Sequence, residues 1–188
     1  MEHLSSKLTD YILKKGVIEE KDYDIYKYGF LCFFEVFIST VTSIFIALFL
    51  DMLLPCLFFF LIFIPMRSFG GGLHLKSFFA CYIGSCLILT LSLLAIKNFT
   101  LPVAASLVIY LLSVTVLVIL GPVDHPNREV DAHENKVFKK RTNITILFST
   151  VIFILLYRFK IKTYLMLEAI IFAFLGITAI AGKYANNN

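Results

Sequence analysis

The sequence predicts an all-α, polytopic helical membrane protein, with about six transmembrane or re-entrant helices preceded by an amphipathic interfacial helix. Three observations predict it. Hydrophobic residues make up 59% of the 188 positions, with 20 phenylalanines and a mean hydropathy of +0.86, which is more apolar surface than a soluble core of this length can bury. Long apolar runs recur along the whole chain. The basic residues are gathered in the connections between those runs.

Residues 1–29 mix lysines with acids and contain no apolar h-region, so they do not read as a cleaved leader. Within them Leu4, Leu8, Tyr11 and Ile12 fall on one helical face with charged residues around the rest, which suits a helix lying in the membrane interface. Gly16 stops that helix, and a second short amphipathic piece leads into the bundle. The membrane domain is expected at 30–182. Its apolar runs fall at about 30–50, 53–66, 78–96, 101–120, 144–157 and 161–182. Four approach the roughly 20 residues needed to cross a bilayer, while the second and fifth are only about 14 long. Short runs tilt, re-enter or borrow flanking residues, so four or five crossings stay open beside six. The sizeable polar connection, 121–143, opens with "GPVDHPNREV", whose two prolines stop any helix there. The last residues, 183–188, "KYANNN", form a short polar tail expected to fray.

With six crossings, thirteen lysines and arginines fall on one side and four on the other. The positive-inside rule then puts both termini and the Gly-rich loop on the cytoplasmic side. The Arg158 to Lys162 turn breaks the pattern. The net charge of +4 is dispersed among loops without aromatic interleaving, so no nucleic-acid partner is expected. Cys32, Cys56, Cys81 and Cys86 lie in or beside apolar runs without C-x-x-C spacing and are read as free thiols. No histidine spacing suggests a metal site. "AHENKV" lacks the second histidine of H-E-x-x-H, and no G-x-S-x-G elbow supplies a serine nucleophile.

The stretch "RSFGGGLHLKSFFAC", residues 67–81, interrupts two greasy runs. It brings together a candidate base, His74, a candidate nucleophile, Cys81, three glycines and Arg67. A thiol becomes a strong nucleophile once deprotonated, and an imidazole takes its proton and later returns one to a leaving amine. On a straight helix the two Cα atoms would be about 10.5 Å apart, too far for a hydrogen bond of roughly 3 Å. His74 is therefore expected in a loop or loosened turn that folds back towards Cys81. Gly70, Gly71 and Gly72 either cradle an oxyanion with their N–H groups or simply turn the chain. Arg67 either meets a substrate carboxylate, favours the thiolate, or anchors the membrane edge; Lys76 and Ser77 carry weaker versions of the same ambiguity. Glu35 and Glu168, both within apolar runs, either pair structurally or mark an ion path.

Arg67, Gly71, Gly72, His74 and Cys81, followed by a series of apolar spans, resemble the accessory gene regulator B family. These are membrane endopeptidases that process the precursors of quorum-sensing autoinducing peptides. Pro122, Asn127 and Arg128 echo a second loop of the family, which often continues with a proline where this chain has Glu129 and Val130. The resemblance implies that Cys81 is the nucleophile and His74 its base. It implies cleavage after the future ring of a small precursor peptide, a thioester acyl-enzyme, and ring closure to a thiolactone or lactone. It also implies an acidic precursor tail that could approach Arg67 or Lys76, a possible homodimer, and no metal or organic cofactor. Two other classes stay open: a small transporter or channel using Glu35 and Glu168, and a membrane scaffold in which His74 and Cys81 tolerate alanine.

Overall fold

A computed structural model describes residues 2–72, 78–123 and 132–186. Seven α-helices are present among them: α1 (Glu2–Lys14), α2 (Tyr23–Phe49), α3 (Leu53–Gly70), α4 (Phe78–Asn98), α5 (Val103–Leu120), α6 (Ala132–Arg158) and α7 (Lys162–Asn186). The all-α polytopic class is as the composition predicts. Helices α2 to α7 are each long and apolar enough to cross a membrane.

The two short apolar runs reach membrane length by borrowing their flanks. Helix α3 continues from Pro65 through Arg67 to Gly70, giving 18 residues, or about 27 Å of rise. Pro65 is accommodated inside it, as membrane helices permit when neighbours satisfy the freed carbonyl. Helix α6 starts far ahead of its apolar run, and its span-length segment is Asn135–Arg158. The connections on one side of the bundle are tight. Asp51 turns the α2–α3 link at φ 58° and Lys160 turns the α6–α7 link at φ 58°, while Lys97 donates to the Leu50 carbonyl at 3.0 Å.

Helix α7 is the hub. Of its span 61% is buried inside the bundle, against 11–22% for the other five, so it is encircled while they face lipid. Its most extensive pairing is with α5, and α3 packs on both α6 and α7. Tyr110 of α5 stacks on Phe153 of α6 at 4.1 Å and tilts against Phe172 of α7 at 4.8 Å. Small residues let the backbones approach: Ser106 and Ser113 on α5 and Ala169 and Ala179 on α7 are buried, and Gly176 faces Ser113. Phe33, Phe45, Leu61, Leu147 and Ile154 point outward, the expected orientation of apolar side chains in a lipid solvent.

Helix α1 packs on α2 through Ser5 and Thr9, which are buried, whereas Leu4 and Tyr11 are exposed. Small hydroxyl residues permit this close contact: Ser5 donates to the Lys27 carbonyl of α2, and Thr9 donates to the Ser5 carbonyl at 2.9 Å within α1. Tyr23 of α2 donates to Asp10 at 2.8 Å. The exposed apolar stripe has the orientation expected of an interfacial helix. Helix α7 continues into the polar tail as far as Asn186; Lys183 lies in its last turn, where a cation suits the negative end of the helix.

Candidate functional site

The site is built where the ends of α3 and α5 meet. Gly121 leaves α5 at φ 68°, and two residues later Val123 forms an isolated parallel bridge with Gly71. The Val123 N–H donates to the Gly70 carbonyl at 3.0 Å. This approach requires the absence of a side chain: a Cβ on Gly71, itself at φ 67°, would lie 2.1 Å from the Val123 carbonyl oxygen. The glycine turn and the "GPV" start of the second loop are therefore one structural unit.

Arg67, in the last turn of α3, folds back into that turn. Its Nη1 donates to the Gly71 carbonyl at 2.8 Å. A Cβ on Gly72 (φ 123°) would fall 2.1 Å from the same nitrogen and 3.5 Å from Thr178 Oγ1 of α7. The guanidinium lies within electrostatic reach of the Cys81 side chain and of the Glu35 carboxylate of α2. Cys81 is half-buried in α4. Its helix is tied to α2 by a hydrogen bond from Tyr82 to Thr42 at 3.1 Å. Arg141 of α6 stacks over Phe69 at 5.3 Å, closing the same end of the bundle.

Of the residues singled out in the sequence, the structure brings Arg67, Gly71 and Gly72 together, with Cys81 on the neighbouring α4 within electrostatic reach of Arg67. His74, Lys76 and Ser77 lie outside the described residues, as do Asn127 and Arg128 of the second loop. Arg67 and Val123 both donate to glycine carbonyls, so at Gly70 and Gly71 the backbone serves turning and docking. Cys32, Cys56, Cys81 and Cys86 lie outside any disulfide, and Cys56 is fully buried. Glu35 and Glu168 have separate surroundings. Glu168 is fully buried among α5, α6 and α7 and accepts a hydrogen bond from Ser149.

Val123 and Thr178 were not legible as members of this site. The Gly-Pro preceding Val123 signals a chain turn, but nothing in the sequence pairs it with Gly71. Thr178 reaches Gly72 only because α7 is central, which no hydropathy pattern reveals.

Fold and site together define a multi-pass α-helical membrane protein with a half-buried arginine held by a glycine turn at one end of its bundle. The chain belongs to the accessory gene regulator B family, whose model matches residues 5–181. That membership supports a role in processing an autoinducing peptide. No curated protein and no solved structure matches the chain.

Proposed function

We propose that the protein is a membrane-embedded cysteine endopeptidase that removes the C-terminal tail of an autoinducing-peptide precursor and supports closure of its ring. The observation that carries this reading is the glycine turn that holds Arg67 at the end of α3, with Cys81 of α4 within its electrostatic reach. Family membership supplies the substrate class.

In the proposed reaction His74 takes the Cys81 thiol proton as the sulfur attacks the scissile carbonyl. The tetrahedral intermediate collapses, the C–N bond breaks, and the tail leaves as an amine carrying the proton returned by His74. The remaining acyl group is held as a thioester on Cys81. A thiol or hydroxyl of the same peptide then attacks that thioester, its proton passes to the departing Cys81 sulfur, and a thiolactone or lactone forms. Thioester exchange conserves the activated bond, whereas hydrolysis would lose it, so a membrane-edge pocket that holds the internal nucleophile close and excludes water favours ring closure. Arg67 stabilises the thiolate or receives a carboxylate of the acidic tail. Gly71 and Gly72 keep the turn in shape around it, and Lys76 and Ser77 are further candidates to meet the substrate. The proposal includes a cytoplasmic active-site end, where an amphipathic precursor would arrive on the inner leaflet, and assembly as a homodimer.

A transport reading requires Glu35 and Glu168 to share one pathway. Glu168 is enclosed in the helix core while Glu35 is half-buried on α2, which favours the peptidase. The test is to co-express the protein with a candidate precursor and follow the released tail by mass spectrometry. Loss of the tail in both Cys81→Ala and His74→Ala at unchanged membrane levels is the expected result; cleavage that persists in Cys81→Ala rejects the mechanism.

A further inference from the structure

The outward face of α6 changes character along a single stripe. Lys136, Lys139, Lys140 and Asn143 occupy its first turns, and Ile144 and Leu147 follow; together they line a shallow groove of about 430 Å³. The spacing of three and four residues keeps all six on one side of the helix. All three lysines are exposed, and among the described residues none has an acidic partner. Arg141, by contrast, turns the other way onto Phe69. Beyond the groove the stripe stays apolar and outward: Ile144 is 54%, Leu147 65%, Val151 49% and Ile154 59% exposed.

We propose that this face binds one anionic phospholipid, with its phosphate held among Lys136, Lys139 and Lys140 and an acyl chain laid along Ile144, Leu147 and Val151. The dimensions agree. Eleven residues separate Lys140 from Val151, a rise of about 16 Å, which is one leaflet of a hydrocarbon core roughly 30 Å thick. Three ammonium groups with no acidic partner among the described residues, at the edge of an apolar surface, match a headgroup phosphate, with the lysine stems lying along the groove and their charges at the interface. An acidic peptide would match the lysines alone. The apolar continuation, running from the groove towards the far end of α6, has the shape and chemistry of an acyl chain and no feature that a charged peptide would recognise.

The site lies on the side of the bundle that carries Gly71 and Val123, so the lipid would belong to the leaflet from which the glycine turn is reached. It is independent of the peptidase reading. The experiment is native mass spectrometry of the detergent-solubilised full chain titrated with phosphatidylglycerol or phosphatidylcholine. Wild type is expected to retain the anionic lipid preferentially. A Lys136→Gln, Lys139→Gln, Lys140→Gln triple variant should weaken phosphatidylglycerol binding on the order of a hundredfold, from three interfacial lysines, and change phosphatidylcholine binding by less than about threefold. The corresponding triple arginine variant, which keeps the charge, should bind as wild type. An Ile144→Gln, Leu147→Gln variant should also lose the lipid, because the chain contact is part of the site.

Several results would overturn the assignment. Equal retention of the two lipids by wild type removes headgroup selectivity, and an unaffected triple glutamine variant places the lipid elsewhere. Competition by glycerophosphoglycerol or a short polyglutamate peptide that matches the intact lipid reduces the site to a charge patch. Retention of phosphatidylglycerol by the Ile144→Gln, Leu147→Gln variant does the same.

Discussion

Replacing Gly71 with alanine separates two costs that a glycine turn combines. The residue has φ 67°, so any side chain there incurs the left-handed penalty, about 1–2 kcal/mol for an ordinary L-residue. Gly121 has nearly the same conformation at φ 68°, and nothing lies within 4 Å of the Cβ it would carry. Gly121→Ala therefore measures the backbone penalty alone. At Gly71 the added carbon would also lie 2.1 Å from the Val123 carbonyl oxygen. That neighbour is backbone, and relief requires the two segments to separate and the 3.0 Å bond from Val123 to Gly70 to stretch or break. Losing that bond adds about 1 kcal/mol, and leaving its groups without partners adds about 1 more. The expected costs are about 1–2 kcal/mol for Gly121→Ala and about 3–4 kcal/mol for Gly71→Ala. At about 2–4 °C per kcal/mol for a chain of this size, the apparent melting temperature of Gly71→Ala in detergent should lie several degrees below that of Gly121→Ala. Tail release should also fall more in Gly71→Ala, because the Gly71 carbonyl holds Arg67. Equal melting temperatures for the two variants would refute the close approach of Gly71 to Val123.

Val123→Pro removes the N–H that bonds Gly70 and should lower tail release severalfold while most of the bundle's stability is kept, measured as activity against melting temperature in the same preparation. Tyr110→Phe deletes the 3.0 Å hydrogen bond to Thr150 but keeps the stack on Phe153; a loss of about 1 kcal/mol is expected, against about 3–5 kcal/mol for Tyr110→Ala, both read from unfolding in detergent. Glu168→Gln preserves volume and an acceptor for Ser149 and should unfold within about 1 kcal/mol of wild type. Glu168→Lys puts a charge without an acidic partner among α5, α6 and α7 and should abolish the folded protein in membrane fractions.

The residues of the candidate site were largely legible as types, since arginine, glycines, histidine and cysteine between apolar runs are expensive in a membrane and rarely idle. Their arrangement was only partly legible. Arg67 was read as a ligand of substrate or thiolate or as an anchor at the membrane edge, and its hydrogen bond to the Gly71 carbonyl had no sequence signal. The pairing of Gly71 with Val123 joins positions fifty-two residues apart, and local pattern carries no information about which turns meet. The packed face of α1 was illegible for a related reason. Hydropathy marks Leu4 and Tyr11 as an apolar stripe for the interface but does not say which residues meet α2, and the small hydroxyl residues Ser5 and Thr9 make that contact.

The sequence by itself determined that the chain is helical and membrane-embedded, because hydrocarbon solvent demands internally satisfied backbone and about 20 apolar residues per crossing. It also determined where the chain turns, through Gly16, the 70–72 glycines, Gly121 and Pro122. Tertiary structure alone decided that 53–66 and 144–157 draw on polar flanks to reach membrane length, since that depends on partners such as the Gly71 carbonyl that Arg67 bonds. It also decided that α7 is the centre of the bundle. The outer helices are about as apolar as α7, since lipid and protein interior reward the same residues; only packing distinguishes a helix that faces its neighbours from one that faces the membrane.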